Sequence, residues 1–304
     1  MTNVLITGAG SGIGLATAVR LAQRGMNVFA SVPTLAQQPD VDAAAAAAGA
    51  RMHVLQLDVT DRSSIDAAVT RVRGEAGSID AVVQSAGLGL RGFFEDLSVA
   101  EIRRLFDVNV FGVMAVTRAV LPHMRAARNG RIAIITSAGG RLATMTGSAY
   151  CAGKFALEGF GESLAQEVLP FGVRVSLVEP GLVMSPHFTV NRGQAAAALR
   201  TTSPYYDRFS RHERLVNEIL SRSHITTADV ARVVERALRA ANPRVRYAVG
   251  WRARVLISLR RHLPDELFTR AYFRQAERLV SRVPASPPQL AEHGIAAHGR
   301  VGQS

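Results

Sequence analysis

The chain has 304 residues and a formal net charge of +12, long enough for one large α/β domain with an appendage and a sizeable buried core. Hydrophobic residues make up 48% and aromatics 6%, the balance of an aliphatic interior of helices and parallel strands. One cysteine, Cys151, excludes an intramolecular disulfide and a thiolate metal cluster, and points to a reducing compartment. The charge is unevenly spread: residues 1–199 carry 17 basic and 15 acidic side chains, residues 200–282 carry 18 and 8. No aromatic series accompanies that basic third, so a nucleic-acid partner is not expected.

Asn3-Val4-Leu5-Ile6-Thr7 opens the chain as a strand, without the basic stretch and cleavage site of a leader. No apolar run approaches the length of a membrane span, so a cytoplasmic location is expected. Strand-like runs at 3–7, 26–31, 52–57, 79–85, 131–137, 173–179 and 244–249 alternate with helical segments at 13–24, 61–74, 98–127, 149–169 and 227–241. This alternation predicts an α/β fold, a doubly wound parallel sheet of about seven strands over residues 1–250, with ligands at the strands' carboxyl ends. Ala43–Ala48 reads as a plain surface helix. Segment 185–224 interrupts the alternation with a helical pattern placed to roof a pocket. Residues 251–282 form a basic helical extension, and the Pro- and Gly-rich 283–304 is expected to be disordered.

Between the first strand and the first helix lies Thr7-Gly8-Ala9-Gly10-Ser11-Gly12-Ile13-Gly14. Glycines are needed where backbone turns sharply against a pyrophosphate, and the helix N-terminus then offers free N–H groups to the anion. The turn therefore predicts a bound dinucleotide, with Gly8, Ser11, Gly12, Ile13 and Gly14 against it. The second strand ends in Ala30-Ser31-Val32-Pro33, with neither the acid that selects NAD nor an arginine for a 2′-phosphate. Ser11 can bond such a phosphate and no carboxylate precedes Asp40 to repel one, so NADP is slightly favoured over NAD.

Tyr150 and Lys154 stand four apart in a helical stretch, on one face and about 6 Å apart. A free phenol titrates near 10, and a neighbouring ammonium is expected to bring it toward the working range for acid–base chemistry. Lys154 is the only lysine among 36 basic residues. A chain that otherwise uses arginine has kept a compact ammonium here. Ser137, closing the strand before Gly139-Gly140, can polarise a carbonyl or simply begin a turn. Asn109 is a polar residue within an apolar helix, there to bond backbone or to act.

Together these residues resemble the short-chain dehydrogenase/reductase family over about residues 1–250. The resemblance implies that Tyr150 is the acid–base, that Lys154 also holds the nicotinamide ribose, and that Asn109 holds a water in the proton relay. It implies that Asp58-Val59 lie near the adenine, and that Ala86-Gly87 and Pro180-Gly181-Leu182-Val183 lie along the cofactor, with Val183 backbone at the carboxamide. The stretch from Tyr150 to Gly159, with Glu162-Ser163-Leu164 and Pro170-Phe171-Gly172-Val173, looks like the hydroxysteroid and retinol dehydrogenase branch, which implies a bulky apolar alcohol or ketone as substrate. Two departures stand out: Gln84-Ser85-Ala86-Gly87 replaces the usual Asn-Asn-Ala-Gly, expected to loosen packing there, and Gly153 replaces a serine.

Leu90, Phe93, Leu142, Met145, His187 and Phe188 are candidate substrate contacts, and His212 and His224 could meet a polar substrate end. In the extension, Trp251, Val255, Leu259 and Leu263 share one helical stripe; later, Phe268, Ala271, Tyr272, Gln275 and Leu279 form another beside recurring arginines. Such helices dock on the same chain or a second subunit, or lie in a membrane interface; a homo-oligomer is expected. No metal site is expected. The leading expectation is an NAD(P)-dependent oxidoreductase for an apolar secondary alcohol or ketone. The alternatives are a ketoreductase for acyl-carrier thioesters and a dinucleotide-binding redox sensor without turnover.

Overall fold

Strand residues alternate between two buried faces, and that alternation builds the molecule. In the computed structural model, which describes residues 1–184 and 192–284, seven strands form one parallel sheet in the order β3-β2-β1-β4-β6-β7-β9. They are β1 (Asn3–Thr7), β2 (Asn27–Val32), β3 (His53–Gln56), β4 (Ala81–Gln84), β6 (Gly130–Ile135), β7 (Val173–Pro180) and β9 (Arg246–Val249). The register runs Leu5 beside Val82, Val82 beside Ile132 and Ile132 beside Val175. On one face Leu5, Val82, Ile132 and Leu177 pack against α3 (Arg62–Ala76), α5 (Gly112–Ala126) and α6 (Ser148–Val168). On the other, Val4, Ile6, Val28 and Val83 meet α1 (Gly12–Gln23) and α8 (Thr227–Arg239). Strand order reverses between β1 and β4, which opens a crevice at their carboxyl ends.

The Ala-rich segment lies in α2 (Gln38–Ala47). The expected helix over 98–127 divides into α4 (Val99–Phe106), a π turn at Asp107–Phe111, and α5. Ser98 and Glu101 close its N-terminus as a reciprocal capping box. This continuous helix corrects the expectation about membrane-length runs: Val99–Ala126 is long and apolar enough to cross a bilayer. Its Val113, Val116, Val120 and Met124 are instead buried against the sheet. Gln84 is fully buried; its Nε2 donates to Thr117 Oγ1 at 3.2 Å, while its Oε1 has no partner among the described residues.

The roof departs from an all-helical reading. Two three-residue strands, β5 (Gly89–Arg91) and β8 (Arg192–Gln194), pair in parallel beside α7 (Tyr206–Ser221). The extension forms α9 (Trp251–His262) and α10 (Asp265–Ser281). Both dock on the body through buried Ala253, Phe268 and Val280, with Arg260 donating to the Arg141 carbonyl at 2.9 Å. The stripe of Trp251, Val255, Leu259 and Leu263 faces outward, with Trp251 64% exposed. The tail from residue 285 lies outside the described residues, as do His187 and Phe188.

Candidate active site

A continuous cleft of about 2060 Å³ runs over the carboxyl ends of β1, β4, β6 and β7 and under the roof. At one end is the glycine turn. Gly8 has φ +66°, and a Cβ there would stand 2.7 Å from Ala86 Cα. A Cβ on Gly14 would stand 2.1 Å from the Gly8 carbonyl oxygen. Gly12 has φ +56° with open space around it, so its requirement is conformational. Ser11 is the N-cap of α1 and Ile13 lies in the first turn, which holds no acidic side chain. Thr7 Oγ1 accepts from the backbone N–H groups of Ser85 and Ala86 at 3.1 and 3.2 Å, joining the ends of β1 and β4. A backbone cradle closed to side chains, at a helix N-terminus, fits a pyrophosphate.

Asp58 and Val59 line the same cleft. The Asp58 carboxylate accepts from Thr60 N and Oγ1 at 2.9 and 2.7 Å, so it shapes its own turn. Val59 packs where a Cβ on Gly112 would fall. Gln37 and Arg62, not singled out in the sequence, also line the cleft. Ala86, Gly87, Pro180, Gly181 and Val183 line its centre. Gly181 N–H donates to the Val249 carbonyl at 3.1 Å, and Val183 is buried.

Ser137 leaves β6 with extended backbone, and its Oγ accepts from Gly139 N–H at 3.0 Å. The same hydroxyl hydrogen-bonds the Tyr150 phenol, so it shapes its turn and touches the phenol at once. Lys154 is 6% exposed; its Nζ donates to the Ile135 carbonyl at 3.0 Å and lies 5.8 Å from the Tyr150 ring centre. Burial pushes the Tyr150 phenol above its ordinary value of 10, with the Ser137 bond opposing. Burial pushes Lys154 down from 10.5 to about 8, with Glu158 one turn later opposing. This corrects the expectation that the ammonium draws the phenol down. Burial disfavours both charged forms, so the phenol keeps its proton at neutral pH.

Asn109 is buried in the π turn. Its Nδ2 donates to the Leu88 carbonyl at 2.8 Å and its Oδ1 accepts from Leu88 N–H at 2.7 Å. Both ends of the amide clamp the loop after β4. Gly153 lies on the α6 face against this turn, with 3.5 Å from an added Cβ to Val110, so a serine Cβ would fit.

Leu90, Leu142 and Met145 also line the cleft. Phe93 stacks on Tyr205 at 4.7 Å, beneath the roof, and is not among the described lining residues. His224 lines the cleft and is exposed, whereas His212 is buried in a cluster with Arg91, Arg192, Glu213 and Thr146. Sequence periodicity gave no signal for that cluster, whose members come from four separate segments. Among the described residues no group of His, Cys, Asp and Glu could hold a metal.

The short chain dehydrogenase family model matches residues 2–195. Human 17-beta-hydroxysteroid dehydrogenase type 1 is 38% identical over 266 residues, covering 85% of this chain and 80% of its own length. Retinol dehydrogenase 8 from Bos taurus is 34% identical over 291 residues, 92% of this chain and 91% of its own. A short-chain dehydrogenase from Streptomyces avermitilis superposes with TM-score 0.75 at 32% identity, covering 92% of this chain and 98% of that one. A metagenomic short-chain oxidoreductase in complex with NADP superposes with TM-score 0.64 at 28% identity, over 82% and 96%. With its glycine cradle, its parallel sheet and this coverage, the chain belongs to the short-chain dehydrogenases, in their hydroxysteroid and retinol dehydrogenase branch.

Proposed function

We propose that this enzyme interconverts an apolar secondary alcohol and its ketone, with Tyr150 as the acid–base. The observation that carries this reading is the row Ser137–Tyr150–Lys154 along one wall of the cleft, with the phenol held protonated by burial. A bound nicotinamide dinucleotide supplies the hydride in reduction and takes it in oxidation. Gly8, Gly12 and Gly14 leave room for its pyrophosphate, and Pro180 to Val183 would flank the nicotinamide end.

In reduction, the Ser137 and Tyr150 hydroxyls converge on the substrate oxygen, and Tyr150 delivers the proton. Lys154 supports the phenolate that remains, at a site where its ammonium is within reach of the ring. In oxidation Tyr150 accepts the proton. Leu90, Leu142 and Met145 give the substrate an apolar bed and keep water from the transfer. NADP is the preferred dinucleotide, because the end of β2 carries no carboxylate to repel a 2′-phosphate.

The test follows cofactor absorbance with NADPH and NADH against steroid, retinoid, aliphatic and acyl-thioester ketones. Steroid or retinoid turnover, faster with NADPH and lowered at least about 100-fold in Tyr150→Phe with cofactor binding retained, is expected. Near-normal turnover by that variant refutes the role of Tyr150, exclusive turnover of acyl-thioesters refutes the substrate class, and tighter NADH binding by calorimetry refutes the cofactor preference.

A further inference from the structure

Beneath the roof, four segments bring charged groups together beside the cleft. Arg91 ends β5, Arg192 begins β8, His212 and Glu213 lie on α7, and Thr146 precedes α6. Arg192 Nη2 donates to Glu213 Oε2 at 2.7 Å and to Asn217 Oδ1 at 2.8 Å. Gln194 Nε2 adds a third bond to the cluster, 2.9 Å from the same Glu213 oxygen. Arg91 Nη2 lies 2.7 Å from Glu213 Oε1, off the hydrogen-bonding direction, and within 3.1 Å of His212 Nδ1. An arginine can only donate, so His212 Nδ1 accepts and the ring proton sits on Nε2.

Three observations say that the cluster is incomplete. Arg192 Nη1 is buried and has no partner, on a side chain only 9% exposed. His212 Nε2–H has no acceptor among the described residues, and the ring itself lines the cleft. Two guanidiniums face one carboxylate and one neutral imidazole, which leaves one positive charge uncompensated in a dry site. Unbalanced buried charge and an orphan donor are both strongly unfavourable unless a ligand completes them. Arg91 and Arg192 also line the cleft. Leu90 and the partly buried Tyr150 share one small apolar core with Phe209 of α7, so the cluster stands beside the reacting end of the pocket.

We propose that Arg192, with Arg91 and His212, is a headgroup subsite for a single carboxylate carried by the apolar substrate. The enzyme is then selective for keto or hydroxy acids with a hydrocarbon body, over the neutral molecules of the same shape. This rests on the oxidoreductase reading above and narrows its substrate class. A carboxylate brings one negative charge and two acceptor oxygens, which matches one excess positive charge and two unmatched donors.

The test uses the full-length enzyme and two substrate pairs: a keto-cholanic acid with its methyl ester, and a mid-chain keto fatty acid with its methyl ester. For each, kcat/KM is measured with NADPH, and Kd is measured by calorimetry on the cofactor-loaded protein. Acids should show a kcat/KM about tenfold or more above, and a Kd about tenfold or more below, those of their esters. In Arg192→Gln that ratio should collapse toward one while ester turnover stays within about twofold. Arg192→Lys, which keeps a charge, should restore part of the ratio and guards against a folding defect in the first variant. Esters equal to or better than acids in the wild type overturn the proposal, as does an Arg192→Gln variant that loses acid and ester alike. Turnover of neutral ketones with no acid preference sinks the subsite alone. Absence of turnover for every ketone sinks the oxidoreductase reading, and the acid-to-ester ratio of Kd still decides the subsite.

Discussion

Replacing Lys154 by methionine should stabilise the cofactor-free protein while ending its turnover. The lysine is 6% exposed, and burial lowers its pKa from 10.5 to about 8. Keeping the ammonium charged at neutral pH therefore costs the folded state about 3 kcal/mol. Methionine fills a similar volume without charge, but it loses the bond to the Ile135 carbonyl, a term of about 1.5 kcal/mol. The net gain is on the order of 1–2 kcal/mol, or a few degrees in Tm. The pH dependence carries the sign. Below pH 8 the lysine is charged in both folded and unfolded chains, and the folded chain bears the full penalty. Between about 8 and 10.5 the unfolded chain holds more protons, so wild-type stability climbs with pH and the variant's advantage shrinks. Calorimetric melts of both proteins at pH 7 and pH 10 measure this gap. A variant less stable at pH 7, or a gap unchanged at pH 10, refutes the account of a desolvated ammonium.

Gly8→Ala should lower dinucleotide affinity at least about tenfold and stability by about 1–3 kcal/mol, since its Cβ would strike Ala86 at φ +66°; calorimetry and melting curves check both, and unchanged affinity counts against a pyrophosphate in the cradle. The outward stripe of Trp251, Val255, Leu259 and Leu263, beside exposed Arg252, Arg254 and Arg261, should carry the protein onto anionic vesicles, less so at high salt. Sedimentation of a Trp251→Ser, Leu259→Ser double variant as complete as wild type would remove that role. A chain cut at Gly250 should lose stability as well as vesicle binding, because Ala253, Phe268 and Val280 dock the helices on the body.

The glycine turn and the Tyr150–Lys154 pair were legible because local spacing and chemistry coincide: a cradle needs glycines at set offsets, and four residues is one helical turn. The sheet was legible for the same reason, since alternating apolar runs bounded by turns state their own period. The charged cluster under the roof was not, because Arg91, Thr146, Arg192 and Glu213 are remote in sequence and meet only through the short β5–β8 pairing. Local pattern likewise could not name the backbone that Asn109 bonds, because its partner Leu88 lies 21 residues away. The phenol–ammonium expectation failed on burial, which spacing does not report. The stripe on α9 is legible from its spacing, but spacing does not tell that the helix docks through Ala253 and leaves that stripe outside.

One property of the site has a practical side. Lys154 is the chain's sole lysine, it lines the cleft, and its pKa of about 8 leaves a substantial unprotonated fraction in mildly alkaline buffer. Among the side chains, amine-directed reagents thus meet one target, at the floor of the pocket. Surface coupling through amines would immobilise few molecules by their exterior and would silence those it reached inside. Conversely, a small aldehyde with a reducing agent becomes a footprint of occupancy: dinucleotide or substrate in the cleft shields Lys154, and the labelled fraction reads how much of the protein is loaded.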